Sequence, residues 1–580
     1  MNNSNLPLAI VLSIAILVGF QFFYVKPQQD TIQQQAQTER LIKQVAAPTA
    51  AATSPASLRD RSLVLKDSPR LPIATPELNG SLNLKGARLD DLSMTRHKAS
   101  VAPDAPPVVL LSPSGSASPH KAAYAEFSWL AEDESTPLPT SQSLWRADGK
   151  ELTPSHPVKL IWANEQGLVF EREIAVDDKA MFTITDRVRN TGKTAVKLYP
   201  FGLAARQGIP DDHDSSKISH EGPLGVLNGV LNEHAYDKMQ ELKRLAVESE
   251  ESGWVGIAAK YWLVALIPPT DQKLTASFAY NANDPVGTDN NTGHYQVDFR
   301  GPPITIEPGA SATRSTRLFA GVKNAEWLDS YRETFGIKNF DRAIDYGRVF
   351  WLPIYFLAKP FLYLLDGMVK MFGNIGLAIL AFTVLLKLVT LPLSLKSYHS
   401  MARMKALQPE TKRLQERFAD DKLRLNQELM ELYKRERVNP MSGCLPVLVQ
   451  IPIFFALYAV LNVDIAMRQA PFYGWIKDMS MPDPTTLFNL FGLIPWTPPQ
   501  ALQIGAWPLL MGATMFLQQK LSPQPPDKTQ ARIFLLMPIL FTYMFAHMPS
   551  GLVIYWTWSN LLSIVQQWFI MRKDAKEAKG

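Results

Sequence analysis

The amino-acid sequence predicts a polytopic α-helical membrane protein with six spans, five forming a core, joined to a large antiparallel β-sandwich. Several apolar runs approach the length that crosses a bilayer. Residues 61–335 instead alternate apolar and polar side chains, as half-buried strands do. Residues 1–339 carry 34 Lys+Arg against 38 Asp+Glu, and residues 340–580 carry 25 against 16. A basic excess in the apolar half is typical of membrane proteins, and no direct nucleic-acid function is expected.

The N-terminal run Leu6–Val25 is uncharged and about 30 Å long as a helix, which suffices to span. It ends in FFYVKP and lacks the small-residue cleavage site of a signal peptide. We therefore predict that residues 1–25 are an uncleaved transmembrane anchor. Residues 26–60 are rich in Gln, Ala, Thr and Pro and are predicted to be a flexible linker.

Residues 61–338 are predicted to form the β-sandwich. In FTITDRVR (182–189) and HYQVDFR (294–300), apolar side chains recur at every second position on one face. Clusters of Pro, Gly, Asn and Asp separate such segments, which favours short antiparallel strands joined by turns. A helical piece around Leu231–Leu245 is expected to interrupt the strands.

Apolar runs return after residue 339. Residues 339–370 are predicted to be an interfacial helix region, because Phe350–Leu365 is short and contains two prolines and Lys359. Residues 371–580 are predicted to be the helical core, with a cytoplasmic helical hairpin over residues 396–438. Its five spans are predicted at about 371–393, 446–466, 504–519, 533–548 and 551–570.

The basic residues of the loops predict the topology. Segment 396–445 holds 11 Lys+Arg, segment 520–532 holds three and the tail 572–580 holds four, whereas segment 468–500 holds two. The positive-inside rule places the three basic segments in the cytoplasm. Six spans then put both termini in the cytoplasm and the β-sandwich in the periplasm of a bacterial inner membrane.

Enzyme signatures are absent from the sequence. It has no GxxxxGK[ST] phosphate loop, HExxH zinc motif or GxSxG nucleophile elbow. The single cysteine, Cys444, excludes an intrachain disulfide and has no evident activating group. The PDDHD string at 210–214 is a poor metal site, because adjacent residues rarely converge on one ion. We predict a protein that is not an enzyme and binds no metal or cofactor.

Lys387 is the most informative residue of the core. It lies in an otherwise apolar run, where a central charge costs roughly 2.5–3.5 kcal/mol. Thr383 and Thr390 share its helix face. No Asp or Glu lies well inside a predicted span, so Lys387 is expected to lack a partner within the chain. Its counter-charge is expected from a substrate.

Other polar side chains fall in the same leaflet as Lys387. Individually, each is explained by a hydrogen bond between helices. Together they predict a wet cavity that opens to the cytoplasm and is closed towards the outside. They are Gln450, Gln518, Gln519, Asn560, Ser563, Gln566 and Gln567.

The segment 396–438 repeats apolar residues at helical spacing, with a break at 419–421. This pattern predicts two helices with a charged outer face. The hairpin is either a solvated connector or a docking surface for an acidic or ribosomal partner. Its candidate contact residues are Arg403, Lys405, Lys412, Arg413 and Arg417.

Three long motifs resemble the YidC-type membrane protein insertases of Gram-negative bacteria. They are NPMSGCLPVLVQIPIFFALY (439–458), MPSGLVIYWTWSNLLSIVQQ (548–567) and SGWVGIAAKYWLVALIP (252–268). The resemblance implies a protein that inserts and folds new membrane proteins through a hydrophilic, cytoplasm-open groove with one positive charge, without ATP of its own. It also implies that the protein acts either alone or together with the Sec translocon and its accessory proteins.

The resemblance also implies roles for individual residues. Lys387 falls at the groove cation, which is more often arginine, and Thr383 falls at the groove threonine. Trp556 falls where an aromatic residue lines the sixth span. The hairpin would assist capture of nascent chains, and the tail and segment 520–532 would meet the ribosome or signal-recognition machinery. The β-sandwich is similar to sugar-epimerase-like domains, but nothing in it indicates sugar chemistry.

Two other functions remain open from the residues alone. An anion or solute transporter or channel would use the same cavity, with Lys387 binding the anion. A scaffold anchored by the spans would act through the outer domain.

Overall fold

The computed structural model describes residues 58–133, 135–211, 213, 219–282, 293–349, 352–418, 421–436, 438, 445–522 and 528–577. The predicted anchor and nearly all of the linker lie outside the described residues, as does Cys444. The described residues form two compact units. The first reaches Ala343, apart from Ser100–Ala105, and the second begins at Ile344.

The first unit contains two antiparallel sheets. One has the order β1-β2-β3-β5-β10-β17-β16-β13, with β4 beside β3 and β18 beside β10, and the other has the order β12-β11-β14-β15-β19-β9-β8-β7-β6. Strands β10 and β17 contact β15 and β14 across the core, so the sheets form a sandwich. The strands are β1 Arg70–Ala74, β2 Leu78–Asn83, β3 Arg88–Lys98, β4 Pro107–Leu111, β5 Ala123–Ala131, β6 Arg146–Asp148, β7 Val158–Ala163, β8 Leu168–Val176, β9 Met181–Asn190, β10 Val196–Gln207, β11 Gly222–Leu227, β12 Val230–Glu233, β13 Arg244–Ser249, β14 Trp254–Ala258, β15 Trp262–Ile267, β16 Leu274–Asn281, β17 His294–Arg300, β18 Ile304–Ile306 and β19 Ser311–Val322.

The predicted period of two is confirmed in both quoted strands. Phe182, Ile184 and Val188 of β9 are buried, whereas the residues that alternate with them (Thr183, Thr185, Arg187 and Arg189) are half-buried or exposed. In β17 the exception is Asp298, which is buried between apolar neighbours. It accepts a hydrogen bond from Gln296 Nε2 at 2.8 Å, and burial raises the pKa of its carboxyl group.

The helices of the first unit are α1 Arg61–Val64, α2 Tyr236–Leu242 and α3 Ala325–Phe335, followed by a 3-10 turn at Phe340–Ala343. The predicted helix Leu231–Leu245 is thus shorter than expected, because strands flank α2. Asn228 and Gly229 have φ of 51° and 74° and join β11 to β12. An Asn-Gly pair favours such a hairpin turn, and this signal was available in the sequence.

The second unit begins with a short hairpin, β20 Arg348–Val349 and β21 Leu352–Pro353, before its helices. The first helix differs from the predicted Phe350–Leu365: it begins at Tyr355 and ends at Phe372. Pro353 disfavours helix before it, and Gly373, with φ of 67°, ends the helix. The helices are α4 Tyr355–Phe372, α5 Ile375–Val389, α6 Leu391–Ala406, α7 Gln408–Arg417, α8 Lys422–Arg435, α9 Leu445–Val463, α10 Ala506–Leu521, α11 Lys528–Phe545 and α12 Ser550–Glu577.

The predicted span at 371–393 is broken at Thr390. Helices α5 and α6 meet there at a bend of 66°. Pro392 lies at the start of α6, and proline cannot continue the hydrogen bonding of a preceding helical turn. Taken singly, no helix in the described part of the chain is long and apolar enough to cross a bilayer, whereas the bent pair α5–α6 reaches that length and composition.

The predicted hairpin consists of the end of α6, then α7 and α8. An additional break at Leu407 separates α6 from α7. Asp421 caps α8, accepting a hydrogen bond from the Arg424 backbone N–H at 3.0 Å. Arg435 Nη2 lies 3.4 Å from Glu410 Oε2 and links α8 to α7.

Candidate functional site

Lys387 lies in the last turn of α5 and reaches across to α12. Its Nζ donates a hydrogen bond to Ser563 Oγ at 2.8 Å, and the side chain is half-buried. Ser563 Oγ in turn donates to the Ser559 carbonyl at 2.9 Å, one turn earlier in α12. The hydroxyl group therefore links α5 to α12. The carbonyl end of α5 also favours a cation at this position.

Lys387 thus has a hydrogen-bond partner in the chain, a hydroxyl group that the sequence did not reveal. That partner is neutral, however, and no described carboxylate forms an ion pair with Lys387. A hydroxyl group can orient an ammonium but cannot cancel its charge. The positive charge is therefore uncompensated among the described residues.

Both predicted threonines are bonded within their own helix. Thr383 is only 1% exposed, and its Oγ1 donates to the Ile379 carbonyl at 2.7 Å. Thr390 Oγ1 donates to the Leu386 carbonyl at 2.9 Å. The hydroxyl groups thus satisfy local carbonyls, and only Lys387 of the three extends a polar group to another helix.

Gln450 and Asn560 connect helices. Gln450 Nε2 of α9 donates to the Tyr555 hydroxyl of α12 at 2.7 Å. Asn560 Nδ2 of α12 donates to Thr514 Oγ1 of α10 at 3.3 Å. These contacts match the reading of individual polar residues as links between helices.

Trp556 belongs to an aromatic cluster. Its ring centroid lies 4.7 Å from that of Phe454 on α9 and 5.2 Å from that of Phe545 on α11. Phe454 follows Gln450 by about one turn of α9, and Trp556 precedes Asn560 by about one turn of α12. The helices α9 and α12 therefore carry an aromatic layer beside a polar layer.

A stripe of polar side chains runs down α12, and only part of it was predicted. Tyr398 on α6 is also buried, although it lies within the predicted hairpin. The signal for the stripe was the recurrence of small polar residues every three or four positions in an apolar run. The buried members are Thr557, Ser559, Asn560, Ser563 and Gln567.

Several polar atoms near this stripe lack a hydrogen-bond partner among the described residues. They are Trp558 Nε1, Gln566 Oε1, Gln567 Nε2 and, on α10, Gln519 Oε1. Leaving a buried polar group without a partner costs roughly 1–3 kcal/mol, and buried polar groups ordinarily bind protein or water. The arrangement therefore favours a hydrated interior.

The outer faces of the same helices are apolar. On α5, Leu388 and Val389 are exposed although they adjoin Lys387. Exposed apolar surface on this scale marks contact with a membrane or a protein. On α11 the exposed set is Ile533, Phe534, Leu535, Leu536, Ile539 and Leu540.

The hairpin presents basic side chains to solvent. Arg403, Lys412, Arg413 and Arg417 are exposed and Lys405 is half-buried. None of the five forms an ion pair with a described residue, so their charge is available to a partner.

A metal site was not expected, and the described residues contain no group of three or more His, Cys, Asp or Glu that could hold an ion. In the PDDHD string, Asp212 and Asp214 lie outside the described residues. His213 Nδ1 lies 2.8 Å from Glu221 Oε2, and Asp211 Oδ2 accepts from Ser118 Oγ at 3.1 Å.

A helical unit that exposes large apolar side chains and buries a stripe of polar side chains on α12, joined in sequence to a β-sandwich, is typical of an integral membrane protein with a domain outside the bilayer. Two family models match the chain. The model of the 60Kd inner membrane protein matches residues 367–577, and the model of the YidC periplasmic domain matches residues 70–364. The chain belongs to the YidC family of membrane protein insertases, as its motifs indicated.

Similar proteins match along the whole chain. The membrane protein insertase YidC of Methylorubrum extorquens (strain PA1) is 44% identical, covering 99% of this chain and 96% of that protein. The protein of the same name from Rickettsia bellii (strain OSU 85-389) is also 44% identical, covering 99% and 100%. A crystal structure described as an active YidC insertase with its first transmembrane domain resolved is 14% identical, covers 86% of this chain and 92% of its own, and gives a TM-score of 0.36.

Proposed function

We propose that this protein inserts and folds newly made integral membrane proteins into the bacterial inner membrane, alone or with the Sec translocon. The names of the full-length relatives support the insertase activity. The observation that carries the mechanism is the Lys387 ammonium, which is bonded to a neutral hydroxyl group and lacks a described counter-ion. The proposed groove includes Lys387, Thr383, Thr390, Gln450, Trp556 and Asn560.

The first part of the mechanism is hydration of the groove. Carrying a polar tail into hydrocarbon without hydrogen bonds costs several kcal/mol per group. The polar stripe of α12 and its partnerless atoms support a wet interior, which lowers that cost. We assign the aromatic layer of Phe454, Phe545 and Trp556 to the end of this interior that is closed towards the outside.

The second part is attraction of acidic residues. An ammonium group has three N–H donors, and Ser563 accepts from only one. The remaining donors suit a carboxylate of the incoming tail. Lysine acts as a point charge and does not need the bidentate geometry that arginine favours, so acids in many orientations are accepted.

The third part is lateral release. Val384, Leu388 and Val389 are exposed beside Lys387 on α5. A hydrophobic segment that leaves the polar groove meets this apolar surface and then the lipid tails. The gain comes from burying apolar surface, about 25 cal/mol per Å². No covalent chemistry and no cofactor are required.

The topology and partners follow from the charge pattern. We propose six spans with both termini in the cytoplasm, and the β-sandwich in the periplasm beside Sec accessory proteins. The basic hairpin captures nascent chains, and its residues without ion pairs support that role. The tail 572–580 and segment 520–532 meet the ribosome or signal-recognition machinery.

The test is insertion of a substrate with an acidic tail in a strain depleted of the native insertase. Lys387→Arg is expected to retain insertion, Lys387→Gln to weaken it and Lys387→Glu to abolish it. Normal insertion by the Lys387→Glu variant would contradict the electrostatic role. Anion flux through vesicles without a nascent chain would favour a transporter instead.

Site-specific crosslinking identifies the path of the nascent chain. Position 388 is suited to the crosslinker because Leu388 is exposed beside Lys387, and position 379 is the matched control because Ile379 is buried in the same helix and is outside the proposed groove. Stalled chains are expected to crosslink at 388 more strongly than at 379. Equal and weak crosslinking at both positions would argue against a path along α5.

A further inference from the structure

The segment from Pro484 to Gln503, which is the later part of the connection between α9 and α10 and is here termed the outer loop, has an unusual composition. No charged residue lies between Asp483 and Lys520. Loops in water are ordinarily polar, because nothing covers their side chains. In the outer loop the exposed large side chains are Leu487, Phe488, Leu490, Phe491, Leu493, Ile494, Trp496 and Leu502.

The exposed apolar side chains belong to a folded loop. Thr486 Oγ1 donates to the Leu502 carbonyl at 3.0 Å, and the Leu487 N–H donates to the Ile504 carbonyl at 3.0 Å. These bonds close the base of the loop. The tip reverses through Leu490, Phe491 and Gly492, whose φ angles are 50°, 58° and 99°.

The base of the loop is fixed to α10. Asp483 Oδ2 accepts from the Trp507 backbone N–H at 2.9 Å, in the first turn of α10. Asp483 Oδ1 accepts from Trp475 Nε1 at 3.0 Å, and Thr485 Oγ1 accepts from the Ala506 N–H at 3.0 Å. The position of the loop is therefore tied to the start of a helix of the core.

The backbone of the tip satisfies much of its own hydrogen bonding. Phe491 N donates to the Thr486 carbonyl at 2.9 Å, and Ile494 N donates to the Asn489 carbonyl at 3.1 Å. Gly492 N donates to Asn489 Oδ1 at 3.0 Å. The three prolines of the PWTPP segment (495–499) have no N–H to satisfy. Backbone groups in a membrane must be paired internally, since lipid tails offer no partners.

We propose that the outer loop inserts its apolar tip into the lipid on the periplasmic side of the membrane, at the boundary between headgroups and acyl chains. Absence of charge, exposed aliphatic and aromatic side chains and internal hydrogen bonding together fit lipid. Trp496 suits the headgroup level, where tryptophan is enriched. The exposed apolar faces of α10 and α11 continue the same kind of surface in the core.

The inferred contact assigns the loop a mechanical role. Because Asp483 and Thr485 hold the loop to the first turn of α10, lipid at the tip sets the depth at which that helix begins. This inference rests on the proposed function only for the membrane setting and the outer placement of the loop. It requires no substrate.

The test measures quenching of an environment-sensitive nitrobenzoxadiazole dye by brominated phospholipid in vesicles that hold the full chain. In a Cys444→Ser background, one variant carries the label at Leu493→Cys, which replaces a side chain 83% exposed at the tip. The control carries it at Lys477→Cys, because Lys477 is an exposed charged residue earlier in the same connection. Bromine is expected to quench position 493 several-fold more than position 477, with bluer emission at 493.

Each other outcome contradicts the proposal. Dye emission typical of a polar environment, together with no bromine quenching at 493, would place the tip in water. Blue emission at 493 without bromine quenching would mean that protein covers the tip. If this blue emission disappeared when the protein was diluted with more lipid, the covering protein would be a second copy of the chain. Equal quenching at both positions would remove the distinction between the tip and the charged segment. Insertion activity is measured separately with Lys387 variants, so failure of the insertase proposal gives a different pattern.

Discussion

Placing a carboxylate at position 563 is expected to neutralise Lys387 from inside the protein. Ser563 Oγ accepts from Lys387 Nζ at 2.8 Å, so the carboxylate of a Ser563→Asp variant would lie within about 4 Å of the ammonium group. The proposed mechanism needs that ammonium for the acidic tail of a substrate. An internal acid would compete with the tail at the same donors.

The magnitude follows from Coulomb's law. Two unit charges 4 Å apart attract by about 4 kcal/mol at an effective dielectric constant of 20. Desolvating the new carboxylate offsets part of this gain, and we take about half as the net value. About 2 kcal/mol corresponds to a roughly 30-fold lower affinity for the acidic tail, because 1.4 kcal/mol is tenfold.

The assay is pulse-labelled insertion in a depleted strain, scored by protease access to the translocated tail. Two substrates that differ only in acidic or neutral tail residues are compared. The matched control is Ser563→Asn, which has nearly the same shape as Ser563→Asp without the charge. The Asp variant is expected to lose insertion of the acidic substrate and to retain more of the neutral one.

A reciprocal variant strengthens this test. Lys387→Ser combined with Ser563→Lys moves the cation from α5 to α12 and is expected to recover insertion of the acidic substrate. The reasoning is refuted if Ser563→Asp accumulates like Ser563→Asn and inserts both substrates normally. It is also refuted if the Asn control fails to the same extent as Asp.

Three further predictions concern stability. In a Gly512→Ala variant the new methyl group on α10 would overlap Thr542 Oγ1 on α11, so the free energy of unfolding should fall by about 1–3 kcal/mol in a thermal unfolding experiment. Adding Thr542→Ala should recover this loss, and an unchanged melting temperature of the Gly512→Ala variant would contradict the close contact. Gln450→Leu removes the partner of the Tyr555 hydroxyl group and should cost about 1–3 kcal/mol, with less loss when Tyr555→Phe is added; strict additivity of the two losses would argue against the bond. Burial lowers the pKa of His234 from its ordinary 6.5, so its contribution to stability is present above pH 6.5 and lost as the pH falls through its folded-state pKa. When the pH is lowered from 7.5 to 5.5, the melting temperature of the His234→Phe variant should therefore decrease less than that of the wild type. Equal decreases would exclude this role of His234.

Local patterns predicted much of the fold. The period of two located β9 and β17, and each predicted apolar run of the core contains a helix. The break at Thr390 was not predicted, although Pro392 is a signal for a helix break, because the apolar residues of the run continue past the proline. Asp298 was placed on the exposed face because its burial depends on the neighbouring strands, which a single strand does not encode.

The candidate site was less predictable, because its contacts join distant parts of the chain. Lys387 was identified because a charge in an apolar run is unfavourable in free energy. Its bond to Ser563 was not predicted, because the two residues are 176 positions apart in the sequence. Tyr398 was assigned to the hairpin because basic residues follow it, whereas its side chain is buried. Thr383 shares the face of Lys387 as predicted, but its hydroxyl group returns to its own helix.

The hydroxyl group of Ser563 has one hydrogen to give and two lone pairs to share. Its hydrogen is given to the Ser559 carbonyl, so Lys387 must be the donor in the bond that joins the two side chains. A carboxylate that draws the ammonium group away from Ser563 would remove this tie between α5 and α12. Occupancy of the groove would in this way loosen the packing of α5 against α12, and an empty groove would restore it.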